Sequence, residues 1–233
     1  MLAALLAASG GGDLSGRTVV VDPGHNGGNG AHPDTINRQV RIGHGMRKAC
    51  DTVGAQTASG YAESRYNLAV AREVARTLRR KGAEVILTRR GNGGVGPCIT
   101  RRARIGNEAE ADAAVSIHAD GGPAGGRGFH VIRPTRIEGL TDDIYAESRR
   151  LGRVMRAAYG DRTGLPRATY VGGNGLVARS DLGGLRLSDV PKVFVETANM
   201  RNATDASRIE SSRFRKRIAR GVADGLERFL IVR

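Results

Sequence analysis

Four residues of this chain have the types to act together: His25, Glu63, His118 and Glu196. His25 follows the β-branched run Val19-Val20-Val21 and the turn Asp22-Pro23-Gly24, and His118 follows Ala113-Ala-Val-Ser-Ile117. Glu196 follows Val193-Phe194-Val195, and Glu63 opens a helical pattern. Two neutral imidazoles and one carboxylate make a catalytic zinc set, with a fourth position left to water. A second glutamate off the metal can take the proton from that water. These donor types leave the ion a net positive charge, so it acidifies water and polarises a carbonyl; further carboxylates would blunt both effects. Plainer roles exist for each residue. His25 could be a surface loop histidine, His118 a core histidine satisfied by Asp120, and Glu63 a carboxylate favoured by a helix dipole. Glu196, at the end of a hydrophobic strand, is harder to explain by packing. His32, His44 and His130 remain as spare histidines, and there is no H-E-x-x-H and no cysteine quartet.

The elements that must position these residues read as alternating strands and helices. The valine run 19–21 is a strand buried on both faces, as in parallel sheets covered by helices. Residues 23–60 form a long glycine-rich connection without sustained periodicity, and such a loop inside a domain is usually functional. Leu68, Ala71, Val74, Ala75 and Leu78 recur at helical spacing from Glu63, and Gly82 after basic residues is a stop signal. Strands follow at 84–88 and 113–117, with a helix at 100–109 between them. A short strand is expected at 128–132, a helix at 142–159, a glycine-rich mobile loop at 160–190, a strand at 193–195 and a closing helix at 205–230. This order predicts one α/β domain with a mostly parallel, twisted sheet and helices on both faces. Ligand chemistry in such sheets collects beyond the carboxyl ends of the strands, where His25, His118 and Glu196 stand.

Composition narrows the function. A chain of 233 residues with 39% hydrophobic and 26% charged residues suits one globular core. The net charge of +14 points to acidic surroundings. The cations are dispersed in ones, twos and threes, Trp is absent and aromatics are 4%, so a stacking nucleic-acid binder is not expected. No apolar stretch is long enough to span a bilayer. Met1–Ser9 reads as a truncated secretory signal, so residues 1–16 are expected to be a signal-peptide remnant and flexible N-terminus, with the catalytic domain at 17–233. Cys50 and Cys98 could close one disulfide in an oxidising compartment or be two buried thiols; the disulfide is the expectation adopted.

Four blocks of the chain resemble the zinc-dependent N-acetylmuramoyl-L-alanine amidases of the type-3, AmiC-like class. They are Val20-Val-Asp-Pro-Gly-His25, Glu63-Ser-Arg-Tyr-Asn-Leu-Ala, Ala111-Asp112 with Ser116-Ile-His118-Ala119-Asp120, and Val195-Glu196-Thr197 with Asn202 following. Leu87-Thr-Arg89 matches the family's strand-end signature, and order and intervals agree over roughly residues 17–230. Local departures are Ala198-Asn199-Met200, where Gly-Phe is usual, Asp120, where Asn is common, and a longer segment at 171–190.

The resemblance implies one Zn2+ per chain on His25, Glu63 and His118, with Glu196 as general base. The implied reaction cleaves the amide between the lactyl group of N-acetylmuramic acid and L-alanine in peptidoglycan. The rivals are a zinc carboxypeptidase or endopeptidase acting within the stem peptide, and a non-catalytic basic module that binds cell wall. A secreted, periplasmic or wall-associated monomer is expected. Some relatives are silenced by an inserted helix that lays a carboxylate on the zinc. Here 142–159 reads as a structural helix and 160–190 as a mobile loop, so an open site is expected; with no cell-wall-binding repeat, small soluble muropeptides are the expected substrates.

Overall fold

The computed structural model describes residues 12–232. Residues 1–11, which carry the signal-like stretch, lie outside the described part. Residues 12–16 are anchored rather than free: Leu14 is buried and its N–H donates to Lys81 O at 2.7 Å.

The strands are β1 (Thr18–Pro23), β2 (Gln39–Arg41), β3 (Arg47–Ala49), β4 (Glu84–Leu87), β5 (Ala113–Asp120), β6 (His130–Pro134), β7 (Leu176–Arg179) and β8 (Lys192–Asn199). The helices are α1 (Pro33–Asn37), α2 (Glu63–Arg79), α3 (Ile99–Glu108), α4 (Tyr145–Thr163), α5 (Gly183–Arg186), α6 (Ala203–Glu210) and α7 (Ser212–Ile231). Six strands form one sheet in the order β4-β1-β5-β8-β6-β7, parallel except for the β6–β8 pair. The mostly parallel α/β sheet expected from the sequence is therefore the fold.

Alternation along the strands gives the two faces different work. Val19, Val21, Val115, Ile117, Val193 and Val195 join the large core beneath α2, α4 and α7. The residues between them face the other way. Val20 and Ala114 meet the α3 side, and Asp22, Ser116, His118, Phe194 and Glu196 continue that face toward the carboxyl ends. One face builds the core and the other builds the site.

Four expectations need correction. Residues 23–60 are not structureless, since they hold α1 and the hairpin β2–β3. Strands of three residues are too short to show a period. Residues 160–190 are not a mobile loop: α4 runs on to Thr163 and stops at Gly164 (φ 65°), and β7 and α5 follow. The glycines there serve turns, including Gly173 and Gly175 at positive φ, rather than disorder. The 142–159 helix begins only at Tyr145. The closing helix is two helices, broken at Ser211, whose hydroxyl accepts from the Phe214 N–H and caps α7. Cys50 and Cys98 form the expected disulfide.

Candidate active site

β1 ends at Pro23, and the chain then takes a turn that puts His25 at φ 58°, a left-handed conformation costly for a non-glycine residue. Two buried arginines hold it there. Arg102 of α3 donates to Pro23 O at 2.7 Å and His25 O at 3.0 Å, and ion-pairs with Asp22 at 2.8 Å and Asp51 at 3.3 Å. Arg89 donates to Pro23 O at 2.9 Å, Gly24 O at 3.0 Å and Ser64 O at 2.7 Å, which ties the same turn to the start of α2. The buried Asp22 also accepts from Thr88 and Ser116. Burial would raise its pKa, but the charges of Arg102 and Lys192 with those hydroxyls hold it far below the usual carboxylate range.

Glu63 opens α2 and is buried. Its Oε2 accepts the Ala55 N–H at 2.8 Å, and its Oε1 accepts the Ala119 N–H at 3.1 Å and Asn67 Nδ2 at 3.2 Å. The same Oε1 stands 3.0 Å from His118 Nδ1 and 3.3 Å from His25 Nε2. Burial opposes ionisation of Glu63, yet His25 and His118 keep its carboxyl well below the ordinary value.

His118 and Glu196 are register partners on the parallel pair β5–β8, so they share a face. The His118 ring stacks on Phe194 with centroids 5.2 Å apart and planes 4° apart, and meets His25 edge-on at 4.8 Å. Glycines leave room for the rings. A Cβ on Gly24 would lie 2.2 Å from His118 Cε1, and one on Gly54 (φ 85°) would lie 2.7 Å from His25 Cδ2.

One ligand atom from each of His25, Glu63 and His118 lies within 4.8 Å of the others. Among the described residues this is the group that could hold a metal, and the donor set suits zinc. His25 Nδ1 lies 2.9 Å from Thr52 O, so an N–H there leaves Nε2 free toward Glu63, the usual second bond of a metal-ligating imidazole. Burial would lower the His25 pKa, but the Glu63 charge and hydrogen bonds to Asp51 and Glu63 push it to about 10. The pocket is thus built to stabilise positive charge.

Glu196 is half-buried in the same cavity wall, and its buried Oε2 has no hydrogen-bond partner among the described residues. Burial, then the charges of Glu63 and Asp120, raise its pKa well above the carboxylate range, so this oxygen can hold a proton. His25, Glu63, His118 and Glu196 all line one cavity of about 370 Å³. Arg179 of β7, Asp181 and Lys48 form another part of its wall, with Asp181 2.6 Å from Arg179 and 3.2 Å from Lys48.

His32, His44 and His130 lie outside the ligand group. Leu87-Thr-Arg89 is legible as a strand-end signature, but the sequence carries no sign of a site role for Arg89, Arg102, Asp22 or Asp51. Arg102 does carry a signal of burial: it falls on the same helical face as Gly106, a face that packs inward. The departure Ala198-Asn199-Met200 also has a role. Asn199 Nδ2 donates to Pro123 O and Gly126 O at 2.8 Å, and Met200 N–H donates to Asp120 O at 2.8 Å, fixing the glycine-rich turn after β5.

The family described as N-acetylmuramoyl-L-alanine amidase matches residues 19–228. The N-acetylmuramoyl-L-alanine amidase Rv3717 of Mycobacterium tuberculosis is 38% identical over 218 residues, covering 94% of this chain and 88% of that protein. The crystal structure of the N-acetylmuramyl-L-alanine amidase Ami1 from Mycobacterium smegmatis superposes with TM-score 0.89 at 36% identity, over 95% of this chain and all of that one. The apo form of Ami1 from Mycobacterium abscessus gives TM-score 0.87 at 41% identity, over 93% of this chain and all of that one.

Proposed function

The chain belongs to the N-acetylmuramoyl-L-alanine amidase family, and on that premise we propose how it hydrolyses the peptidoglycan amide between N-acetylmuramic acid and L-alanine. His25, Glu63 and His118 hold one zinc ion, and Glu196 carries the proton. The observation that supports this is the convergence of three ligand atoms within 4.8 Å beside the unpartnered, buried Oε2 of Glu196.

When bound, zinc supplies a Lewis acid that polarises the lactyl carbonyl and acidifies water. The residues of the chain do the rest. Thr52 and Phe194 orient the two imidazoles, and the N–H groups of Ala55 and Ala119 fix the Glu63 carboxylate. Glu196 accepts a proton from the attacking water at Oε2 and then donates it to the leaving amine of L-alanine. Arg179 and Lys48 at the cavity wall, with Asp181 between them, leave one positive charge for the carboxylates of a stem peptide. The substrates are small muropeptides, and their cleavage needs no activator: among the described residues no carboxylate from 119–190 joins the ligand group.

Mass analysis of digested muropeptides, with and without a chelator, tests this reading. The expected products are peptide-free N-acetylmuramic acid and a stem peptide with a free L-alanine amine, both absent after chelation and restored by zinc. Cleavage within the stem peptide, or full activity in metal-free protein, would overturn it.

A further inference from the structure

A groove of about 670 Å³ lies between the end of α4 and α7, from Ser211 to Arg228, and it shares no residue with the catalytic cavity. Five arginines line it: Arg162, Arg213, Arg217, Arg220 and Arg228. Its two carboxylates are already engaged, Asp224 with Arg162 at 2.7 Å and Asp161 with Arg228 at 3.2 Å. Arg213, Arg217 and Arg220 form no ion pair among the described residues, and all three are exposed. Their spacing of four and three places them on one face of α7. Arg217 is partly oriented, since its Nε donates to Arg162 O at 2.6 Å while its terminal nitrogens make no hydrogen bond among the described residues. Three aligned cations without counter-charges raise the potential of a concave surface, and guanidinium forks match phosphate oxygens bidentately.

We propose that this groove is a binding site for a phosphodiester-bearing polyanion of the cell envelope. The choice of an envelope polymer rests on the amidase reading and on the Cys50–Cys98 disulfide, which suits an oxidising compartment. Single-stranded nucleic acid fits less well because no open ring face lies in the groove, Phe214 having Arg208 at 5.5 Å and Arg217 at 6.0 Å over its ring; duplex DNA, which is held by phosphate contacts alone, is left to the test. A membrane surface fits less well because, among the described residues, the exposed large apolar side chains are Met46, Val53, Ile231 and Val232, none of which lines the groove. Binding there would hold the enzyme where muropeptides are released while the cavity works on the lactyl–L-alanine amide.

Co-sedimentation tests this, using intact cell walls, walls stripped of phosphodiester-linked polymers by hydrogen fluoride, anionic phospholipid vesicles and duplex DNA. The R213Q/R217Q/R220Q variant is compared with R76Q/R80Q/R104Q, which removes the same charge elsewhere, and cleavage of a soluble muropeptide is followed in parallel. The first variant is expected to bind intact wall at least about tenfold more weakly, the loss of three screened charge-assisted contacts together. Wild type should bind stripped wall as weakly as that variant does, its binding to intact wall should fall with salt, and muropeptide cleavage should be unchanged. Equal losses in both variants, equal binding to stripped wall, or equal affinity for vesicles or DNA would overturn the assignment. A loss of muropeptide cleavage by wild type would count against the proposed chemistry, not against the groove.

Discussion

The carbonyl oxygen of His25 accepts a 3.0 Å hydrogen bond from Nη2 of Arg102. That contact binds a residue in a strained left-handed turn to a helix that contributes none of the proposed metal ligands. The same guanidinium ion-pairs with Asp22 and Asp51, and all three side chains are buried. Arg102→Ala is therefore expected to destabilise the fold by about 3–5 kcal/mol, the cost of leaving buried charges without a partner. Arg102→Lys should keep part of that stability but lose the fork, with zinc affinity falling about 10–100-fold, as when an outer-shell contact is removed. Urea unfolding and zinc titration of the two variants check both; wild-type stability in Arg102→Ala would contradict this role.

Acid should undo the same cluster. The Asp22 carboxyl titrates far lower in the fold than in the unfolded chain, so its contribution is complete above the unfolded value, about 3.9. It is lost progressively as pH falls below that value toward the folded one. Stability measured from pH 6 to pH 2 should drop more gently in Asp22→Asn than in wild type, from a lower starting level. Parallel curves would show that Asp22 is not the coupled group.

Gly24 sets the distance between the β1 turn and the His118 ring. A methyl group would enter that ring at 2.2 Å, and stacking on Phe194 blocks the ring's retreat. Gly24→Ala should fold but lose most of its zinc and its activity. A variant that binds zinc as wild type does would show that His118 can be placed another way.

Much of this was legible in the chain because its signals are short-range. Valine runs ending in Pro23-Gly24 or at His118 and Glu196 mark parallel strands and their carboxyl ends, and those ends do converge. Glu63 was legible as the first residue of a strongly amphipathic helix. Arg102, Asp51 and Thr52 were not, because their roles depend on contacts with the turn at His25 across 27 to 80 residues of chain. Such contacts leave no period. The hairpin β2–β3 and strand β7 were missed for a different reason: three or four residues flanked by glycine look like loop until a partner strand is known.

The Cys50–Cys98 disulfide joins residues separated by 48 positions. The chain-entropy estimate for a loop of that size is ~4 kcal/mol. It ties the segment carrying Asp51 and Thr52 to the start of α3, two elements that meet at His25. Cys50→Ser/Cys98→Ser should lower stability by up to that amount and also weaken zinc binding. Unfolding curves with and without a reducing agent check the first expectation. Identical curves would mean that the bridge contributes nothing to stability.

The division of labour between the two glutamates is the centre of this account, and Glu196→Gln tests it most directly when zinc content and turnover are measured on the same preparation. The side chain keeps its shape but can no longer carry the proton. One zinc per chain is expected, as in wild type, with turnover lower by about 10²–10⁴-fold, the usual contribution of general acid–base catalysis. Loss of the zinc together with the activity would make Glu196 a ligand, and near-normal turnover would leave it without a catalytic role; either result contradicts the assignment.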